Sequence, residues 1–503
     1  MTENMNMFLI LIFSLLLSST TTTLSQQVRN DTEAISLAST DFGHIVKEIP
    51  EAVFYPTTSN DIITLLKQAN DNTTPIAARG QGHSVRGQSM AQKGIVVNMT
   101  SFGNEGGRII IVSEGSSFGP YVDVGGEQIW INVLGETLKH GLSPVSWTDY
   151  LYLSVGGTLS NAGISGQSFR FGPQISNVYE LDVITGKGDF VTCSRNKAPD
   201  LFYSVLGGLG QFGIITRARI ALAPAPTSVK WVRLLYNDFS AFSRDQEHLI
   251  SMNGRMEKNG VDYLEGFLLM RQGPFDLSFY PEPDQLRITT LVNQTGIVYL
   301  IELAKYYDAT TQNSVDKDLQ LLLNRLGFVR GFAFSKDATY LEFLNRVRAE
   351  ELKLRKLGLW EVPHPWMNLF VPKSRISDFD SGVFKDIFLK NKVPAGLIII
   401  YPMNRNKWDD KMSAMTPNED VFYAIGLLHS STPEEWEAFD NVNKQILEFC
   451  RVAGIMFKQY IPHYETEHDW INHFGSKWGN FQLKKLQFDP KKILAPGQKI
   501  FNS

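Results

Sequence analysis

Only two cysteines, Cys193 and Cys450, occur in 503 residues, and they stand far apart. A chain of this length can build its cores without disulfides, so free, buried thiols are expected and a disulfide-dense scaffold is excluded. Zinc chemistry lacks its donors as well. There is no Cys/His pattern, and His463 and His468 lie five apart, which fits neither a helical i, i+4 pair nor a finger loop. No metal site is therefore expected. The net charge is −4 and no Lys/Arg block stands out, which argues against nucleic acid as a partner. No apolar run reaches the roughly 20 residues of a membrane span. The nearest is 7–17, followed by a Ser/Thr run at 18–23. That length suits a signal-peptide core cleaved near 24–27, so 1–25 is read as a leader, although its first residues lack Lys and Arg. A signal anchor is the alternative. Internal repeats and low-complexity linkers are also missing.

What the chain does have is ordinary globular composition, 43% hydrophobic and 20% charged, at a length that needs two or three domains. Asn-x-Ser/Thr sequons stand at Asn30, Asn72, Asn98 and Asn293. Asn30, Asn72 and Asn293 are the expected glycan carriers. Asn98 ends an apolar run and is expected to be less accessible.

Glycine is concentrated in loops that can bring backbone close to a ligand. The first is Ala78-Arg79-Gly80-Gln81-Gly82-His83-Ser84, after a short apolar run. Glycine there permits close approach and lets successive N–H groups face an anion, while His83 is presented to whatever the loop holds. A turn with a surface histidine is the plainer alternative. The second is Val155-Gly156-Gly157-Thr158, leading into Ser160, Asn161, Gly163 and Ile164. A third, Gly208 to Gly213, spells G-x-G-x-x-G but follows a helix and precedes a strand. A dinucleotide fingerprint needs strand, loop, helix, so a Rossmann site is excluded.

Periodicity predicts a helix after 59–61, with an apolar face at Ile62, Ile63, Leu65, Leu66 and Ala69, and strands at 94–99, 109–112, 128–133, 181–184 and 189–193. Ala223-Pro224-Ala225-Pro226 reads as a domain boundary. Beyond it strands are expected at 229–236, 262–270, 287–292, 297–304, 366–371, 397–401 and 421–428. A helix opening on a capping box at Thr432-Pro433-Glu434-Glu435 is expected to run to Gly454, and another to run through Trp470 and Trp478. The fold class is α+β.

The three glycine loops, together with Asp489-Pro490 and Pro496-Gly497-Gln498, resemble the FAD-binding (PCMH-type) domain of the vanillyl-alcohol oxidase superfamily. In finer detail the chain resembles the plant cytokinin dehydrogenases (cytokinin oxidases). The pieces are Gly82-His83-Ser84, Trp147-Thr148-Asp149-Tyr150-Leu151, His364-Pro365-Trp366-Met367-Asn368-Leu369-Phe370, Tyr401-Pro402-Met403-Asn404 and Leu494-Ala495-Pro496-Gly497-Gln498. The resemblance implies a two-domain flavoprotein. A discontinuous FAD domain at 30–226 and 455–503 would hold an inserted cap at 227–454, built on a large antiparallel sheet backed by helices.

It further implies a single covalent link from His83 to the flavin. Some relatives in the superfamily add a cysteine link near 149–157, where this chain has no cysteine. Ala78, Gly80, Gln81, Gly82, Ser84, Gln88, Asp149, Ser154, Ser160, Ile164, Ile215, Tyr460, Ala495 and Gln498 would line the FAD. Asp149 would be catalytic, holding the N6–H of an N6-alkenyl adenine as hydride leaves the neighbouring carbon; the imine then hydrolyses to adenine and an unsaturated aldehyde. Trp366 and Asn368 would face the substrate from a cap strand. Glu265 would either meet the purine at the cavity mouth or face solvent. Oxygen or a quinone is the implied electron acceptor, a monomer the implied state, and the apoplast or an endomembrane lumen the implied location. The alternatives are a carbohydrate or alcohol oxidase of the same superfamily and a secreted flavin- or cytokinin-binding protein without turnover.

Overall fold

Ser59–Asn72 folds as a helix because Ile62, Leu65, Leu66 and Ala69 fall on one face and are buried there. Thr58 caps it, one residue before the expected start, in a reciprocal box with Asp61. In the computed structural model, which describes residues 27–103, 108–113, 115–251, 260–273 and 276–501, this helix packs on the first of three sheets. The leader at 1–25 lies outside the described residues. The first sheet comprises β1 (Val28–Arg29), β2 (Ala52–Phe54), β3 (Ile76–Arg79) and β4 (Ile95–Asn98) in the order β1-β2-β4-β3. Since β1 belongs to this sheet, the domain begins slightly before residue 30.

The second sheet is antiparallel: β5 (Ile109–Val112), β6 (Tyr121–Gly125), β8 (Val178–Thr185), β9 (Phe190–Ser194) and β10 (Gly213–Pro224), in the order β5-β6-β10-β8-β9. The short β7 (Leu142–Pro144) pairs with β10. The chain then passes through Ala225–Thr227 into an eight-stranded sheet of β11 (Ser228–Tyr236), β12 (Tyr263–Met270), β13 (Ile297–Tyr307), β14 (Ala333–Thr339), β15 (Met367–Pro372), β16 (Leu397–Asn404), β17 (Val421–Leu428) and β18 (Lys458–Gln459). Their order is β14-β11-β13-β12-β16-β17-β15-β18, and every pairing is antiparallel.

Strand alternation decides what this large sheet presents. Val232, Leu234, Leu264, Leu268, Ile301, Leu369, Ile400 and Ile425 pack against a helical layer that includes Phe239–Ile250 and Trp436–Val452. The intervening Arg233, Glu265, Glu302, Asn368, Tyr401 and Ala424 face the other way, onto a cavity shared with the first two sheets. Cys193 and Cys450 are free and buried in separate cores.

Several expectations are corrected. Residues 128–133 are no strand: Trp130–Leu138 is a helix burying Trp130, Val133, Leu134 and Thr137 at helical spacing. Likewise 287–292 lies within the helix Glu282–Thr295, where Ile288 and Val292 form the buried face despite the β-branched run. Thr432 to Glu435 winds only a turn, with Thr432 Oγ1 meeting the Glu435 carboxylate, and the helix proper is Trp436–Val452. The single helix expected through Trp470 and Trp478 is two, Glu467–Phe474 and Trp478–Phe488, separated at Gly475 with φ +52°. Because β18 pairs with β15, the cap sheet ends after 454, and the return to the FAD domain begins beyond Gln459. It closes where Leu494 lies alongside Ile76, the Ile76 N–H donating to Ile493 and the Ala495 N–H to Ile76.

Candidate active site

One cavity of about 1690 Å³ lies between the large sheet and the other two, and every site residue expected from the sequence lines it. Ala78, Gly80, Gln81, Gly82, His83, Ser84 and Gln88 come from the loop after β3. Asp149, Ser154, Ser160 and Ile164 follow β7, and Ile215 lies on β10. Glu265, Trp366 and Asn368 form the cap wall, and Tyr460, Ala495 and Gln498 come from the return segment. Ligand pockets typically occupy about 300–1,000 Å³, so this space suits a dinucleotide and a substrate together.

The β3 loop is shaped by a residue no motif pointed to. The buried Asp41 carboxylate accepts from Ser84 Oγ at 2.7 Å, from the Gly87 N–H at 2.7 Å and from the Gly43 N–H at 3.1 Å. Gly82 takes φ +65°, open to glycine at no steric cost. Gly126, which also lines the cavity, packs so closely that a Cβ would stand 2.1 Å from the Ile215 carbonyl oxygen, leaving only backbone at that point of the wall. Gln88 Nε2 and Gln498 Oε1 are buried without a protein partner. A bare backbone wall and orphaned amide atoms on cavity residues fit an FAD with its hydrogen-bonding edges and phosphates.

His83 stacks between Phe42, at 3.9 Å between ring centroids, and Tyr150, at 5.0 Å; the Trp366 ring stands edge-on at 6.4 Å. Burial and the neighbouring His364 push the imidazole down to about 3, so the ring is neutral and keeps a free nitrogen lone pair. Trp366 Nε1 has no partner.

Asp149 sits on a loop held by backbone bonds from Ile131 to Leu151 and from Trp130 to Leu153. Its side chain is 28% exposed, and Tyr263 OH donates to Oδ1 at 3.4 Å. Arg346, at the first turn of Arg346–Lys356, reaches the same Oδ1 at 3.4 Å and Glu265 Oε2 at 3.1 Å. Glu265 is therefore neither at the mouth nor facing solvent: it is 1% exposed, beside Asp149 and under Arg346. Burial raises Asp149 above the ordinary carboxylate range, with Arg346 opposing. It raises Glu265 well above that range, helped by the Asp149 charge, and the two acids titrate as a pair. Glu302, despite its burial, stays low because Arg233 and Arg346 flank it. No sequence motif flagged Arg346, Tyr263, Glu302 or Arg233. The only signal was a pair of glutamates placed mid-strand among apolar residues.

The wider comparisons agree with this geometry. A family model described as an FAD binding domain matches residues 50–194. A second, described as "Cytokinin dehydrogenase 1, FAD and cytokinin binding", matches 226–501. Cytokinin dehydrogenase 4 of Arabidopsis thaliana is 54% identical over 492 residues, covering 95% of this chain and 93% of the relative. Cytokinin dehydrogenase 6 of Oryza sativa subsp. japonica is 51% identical, covering 95% and 92%. Among solved structures, a VAO-type flavoprotein of Myceliophthora thermophila aligns with a TM-score of 0.66 at 16% identity, over 89% of this chain and 79% of its own. The 6-hydroxy-D-nicotine oxidase of Arthrobacter nicotinovorans aligns at 0.65 and 17%, over 93% and 95%.

The fold is that of a VAO-type flavoprotein, an FAD-binding domain joined to a substrate cap on a large antiparallel sheet. Within that class, identity above 50% across nearly the whole length leaves one assignment. The chain belongs to the cytokinin dehydrogenases, FAD-dependent oxidoreductases. This sets aside the carbohydrate or alcohol oxidase and the non-catalytic binder.

Proposed function

We propose that this cytokinin dehydrogenase oxidises the N6 side chain of isopentenyladenine and zeatin through Asp149, with the imine hydrolysing to adenine and an unsaturated aldehyde. The observation that carries the assignment to Asp149 is its position: a carboxylate reached by the cavity, wedged between Tyr263, Arg346 and Glu265. FAD, when bound, supplies the hydride acceptor. Asp149 accepts the N6–H and stabilises the positive charge that grows on the N6–C unit as hydride leaves. Glu265 donates its proton to Asp149 as a hydrogen bond, which orients the carboxylate. Trp366 and Asn368 hold the purine against the cap wall.

His83 carries the flavin through a single covalent link to the 8α-methyl group, supported by its neutral imidazole and by Phe42 and Tyr150 holding the ring in one plane. Neither cysteine lines the cavity, which favours one link rather than two. The remaining FAD contacts fall to the glycine loops, Gln88, Tyr460 and Gln498. Oxygen or a quinone reoxidises the enzyme, and the protein works as a monomer. It is secreted to the apoplast or held in an endomembrane lumen. Asn30, Asn72 and Asn293 carry glycans; all three are exposed, Asn72 as the last residue of a helix and Asn293 within one. Asn98 is half-buried, and its side chain holds Thr100.

The test is Asp149→Asn. It should leave folded, yellow protein whose turnover of isopentenyladenine falls by about 10²–10⁴, the usual worth of a positioned acid or base. Turnover near wild type would remove Asp149 from the reaction.

A further inference from the structure

Arg346 is the group through which the charges at this site meet. Its Nη2 contacts Asp149 Oδ1 at 3.4 Å and Glu265 Oε2 at 3.1 Å, and donates to Tyr263 OH. Its Nε lies 3.3 Å from Glu302 Oε1. The guanidinium stands 4.8 Å from the Tyr263 ring centroid and 5.1 Å from that of Phe343.

Sheet register explains why a cation is needed there. Glu302 on β13 pairs directly with Glu265 on β12 and with Arg233 on β11, so one row across the sheet reads Arg233, Glu302, Glu265. Two glutamates placed opposite each other repel. Arg233 Nε answers one carboxylate oxygen of Glu302, Oε2, at 2.7 Å, and Arg346 lies over the gap between the two glutamates and reaches on to Asp149. Other groups facing the cluster are Tyr401 on β16, Tyr460 on the return segment and, farther out, Lys336 on β14, whose ammonium lies over the Trp231 and Phe279 rings. Burial holds the three tyrosines well above their ordinary range, so they stay neutral. Charge balance in the row is left to two guanidiniums and three carboxylates, and one shared proton makes it neutral.

Resting on the reading of Asp149 as the group that meets the substrate N6–H, we propose that Arg346 is the positioning residue that limits the Asp149–Glu265 pair to one proton, so that Asp149 meets the substrate as a carboxylate. Without Arg346 the same row has one guanidinium and three carboxylates. It then takes up a second proton, and the site presents two neutral acids. Arg346 touches neither the reaction centre's carbon nor the departing hydride in this role; it acts through Asp149.

The test compares kcat/KM for isopentenyladenine against pH in wild type, Arg346→Gln and Arg346→Lys, each flavin-loaded. An opposite charge at this range shifts a carboxylate by about 1–3 units. The acid limb of Arg346→Gln should therefore move to higher pH by about that much, with Arg346→Lys recovering most of the shift. At neutral pH the infrared spectrum of Arg346→Gln should also show one more protonated carboxyl than wild type, a readout that needs no substrate. A limb that stays put while activity falls equally at every pH would overturn the proposal, as would an unchanged carboxyl band. If Arg346→Gln does not fold, Glu265→Gln decides. It puts a neutral amide where the pair's proton sat, so at neutral pH the protonated-carboxyl band must vanish while the acid limb stays where wild type has it; a band that persists would mean that Asp149 is protonated despite Arg346 and would overturn the proposal. A wild type that fails to turn over isopentenyladenine at any pH would instead defeat the substrate reading, while the carboxyl band still tests Arg346.

Discussion

Asp489→Ala should strip the C-terminal return from the cavity wall. Asp489 and Lys485 are 0% and 1% exposed and pair at 2.8 Å. The carboxylate accepts the N–H of Ile493 at 3.1 Å and of Leu494 at 2.9 Å. The ammonium donates to the Gln211 carbonyl at 3.0 Å, to Gln211 Oε1 at 2.7 Å and to the Leu494 carbonyl at 3.1 Å. These bonds fix the segment that delivers Ala495 and Gln498 to the cavity. Alanine leaves a buried ammonium without its counter-charge, which costs about 3–5 kcal/mol. Two amides also lose their acceptor, at about 1–3 kcal/mol each. The lysine has an escape that caps the first cost. Burial already pushes it down to about 8 against Asp489's pull, so shedding its proton at pH 7 costs only about 1.4 kcal/mol, one unit at about 1.36 kcal/mol.

A total of roughly 3–7 kcal/mol approaches the whole stability of a typical domain, about 5–15 kcal/mol. The melting temperature, followed by near-UV circular dichroism and flavin fluorescence, should fall by about 10 °C or more, with the flavin fluorescence rising early as its site opens. The double variant Asp489→Ala/Lys485→Met removes the stranded charge and should regain about 1 kcal/mol of that loss. A double variant that melts no higher than the single, or a single that melts within about 2 °C of wild type, would refute the reasoning.

Two further outcomes are expected. A tryptic peptide containing His83 should carry the mass of the flavin; an unmodified peptide from active, yellow protein would remove the covalent link and leave the fold untouched. Stability should fall between pH 6.5 and 5, because His429, at about 4, and His473, at about 3, are buried neutral and lie below the unfolded value of 6.5. The unfolded chain then binds protons first, so this stability is fully present above pH 6.5 and is lost as the pH drops. The loss is about 2 kcal/mol per histidine by pH 5, and His429→Asn should remove one such share; an unchanged slope in thermal melts would contradict it.

The glycine loops were legible from the residues themselves, because special backbone geometry leaves local marks, whereas the roles of His83, Asp149 and the return through Gln498 were legible only through the family resemblance. The cap sheet was legible from strand alternation, most clearly where Tyr401 and Asn368 alternate with buried Ile400 and Leu369. Arg346 was not. It lies in Asn345-Arg346-Val347-Arg348-Ala349-Glu350-Glu351, a charge-rich stretch that reads like any solvated helix, and its partner Asp149 is almost two hundred residues away. Glu302 was hidden in the same way, since only sheet register reveals that it opposes Glu265. The helices at Trp130–Leu138 and Glu282–Thr295 read as strands because β-branched and aromatic residues favour strands locally, and the buried face that decided otherwise exists only in the packed fold. Asp41 carried no signal, being one acid in a polar lead whose role depends on a loop formed some forty residues later.

The most direct measurement is anaerobic mixing of the flavin-loaded protein with isopentenyladenine while the yellow absorbance is followed. It should bleach, and adenine with the unsaturated aldehyde should appear in equal amount. A protein that stays yellow with isopentenyladenine, whether or not a sugar bleaches it, would contradict cytokinin oxidation at Asp149.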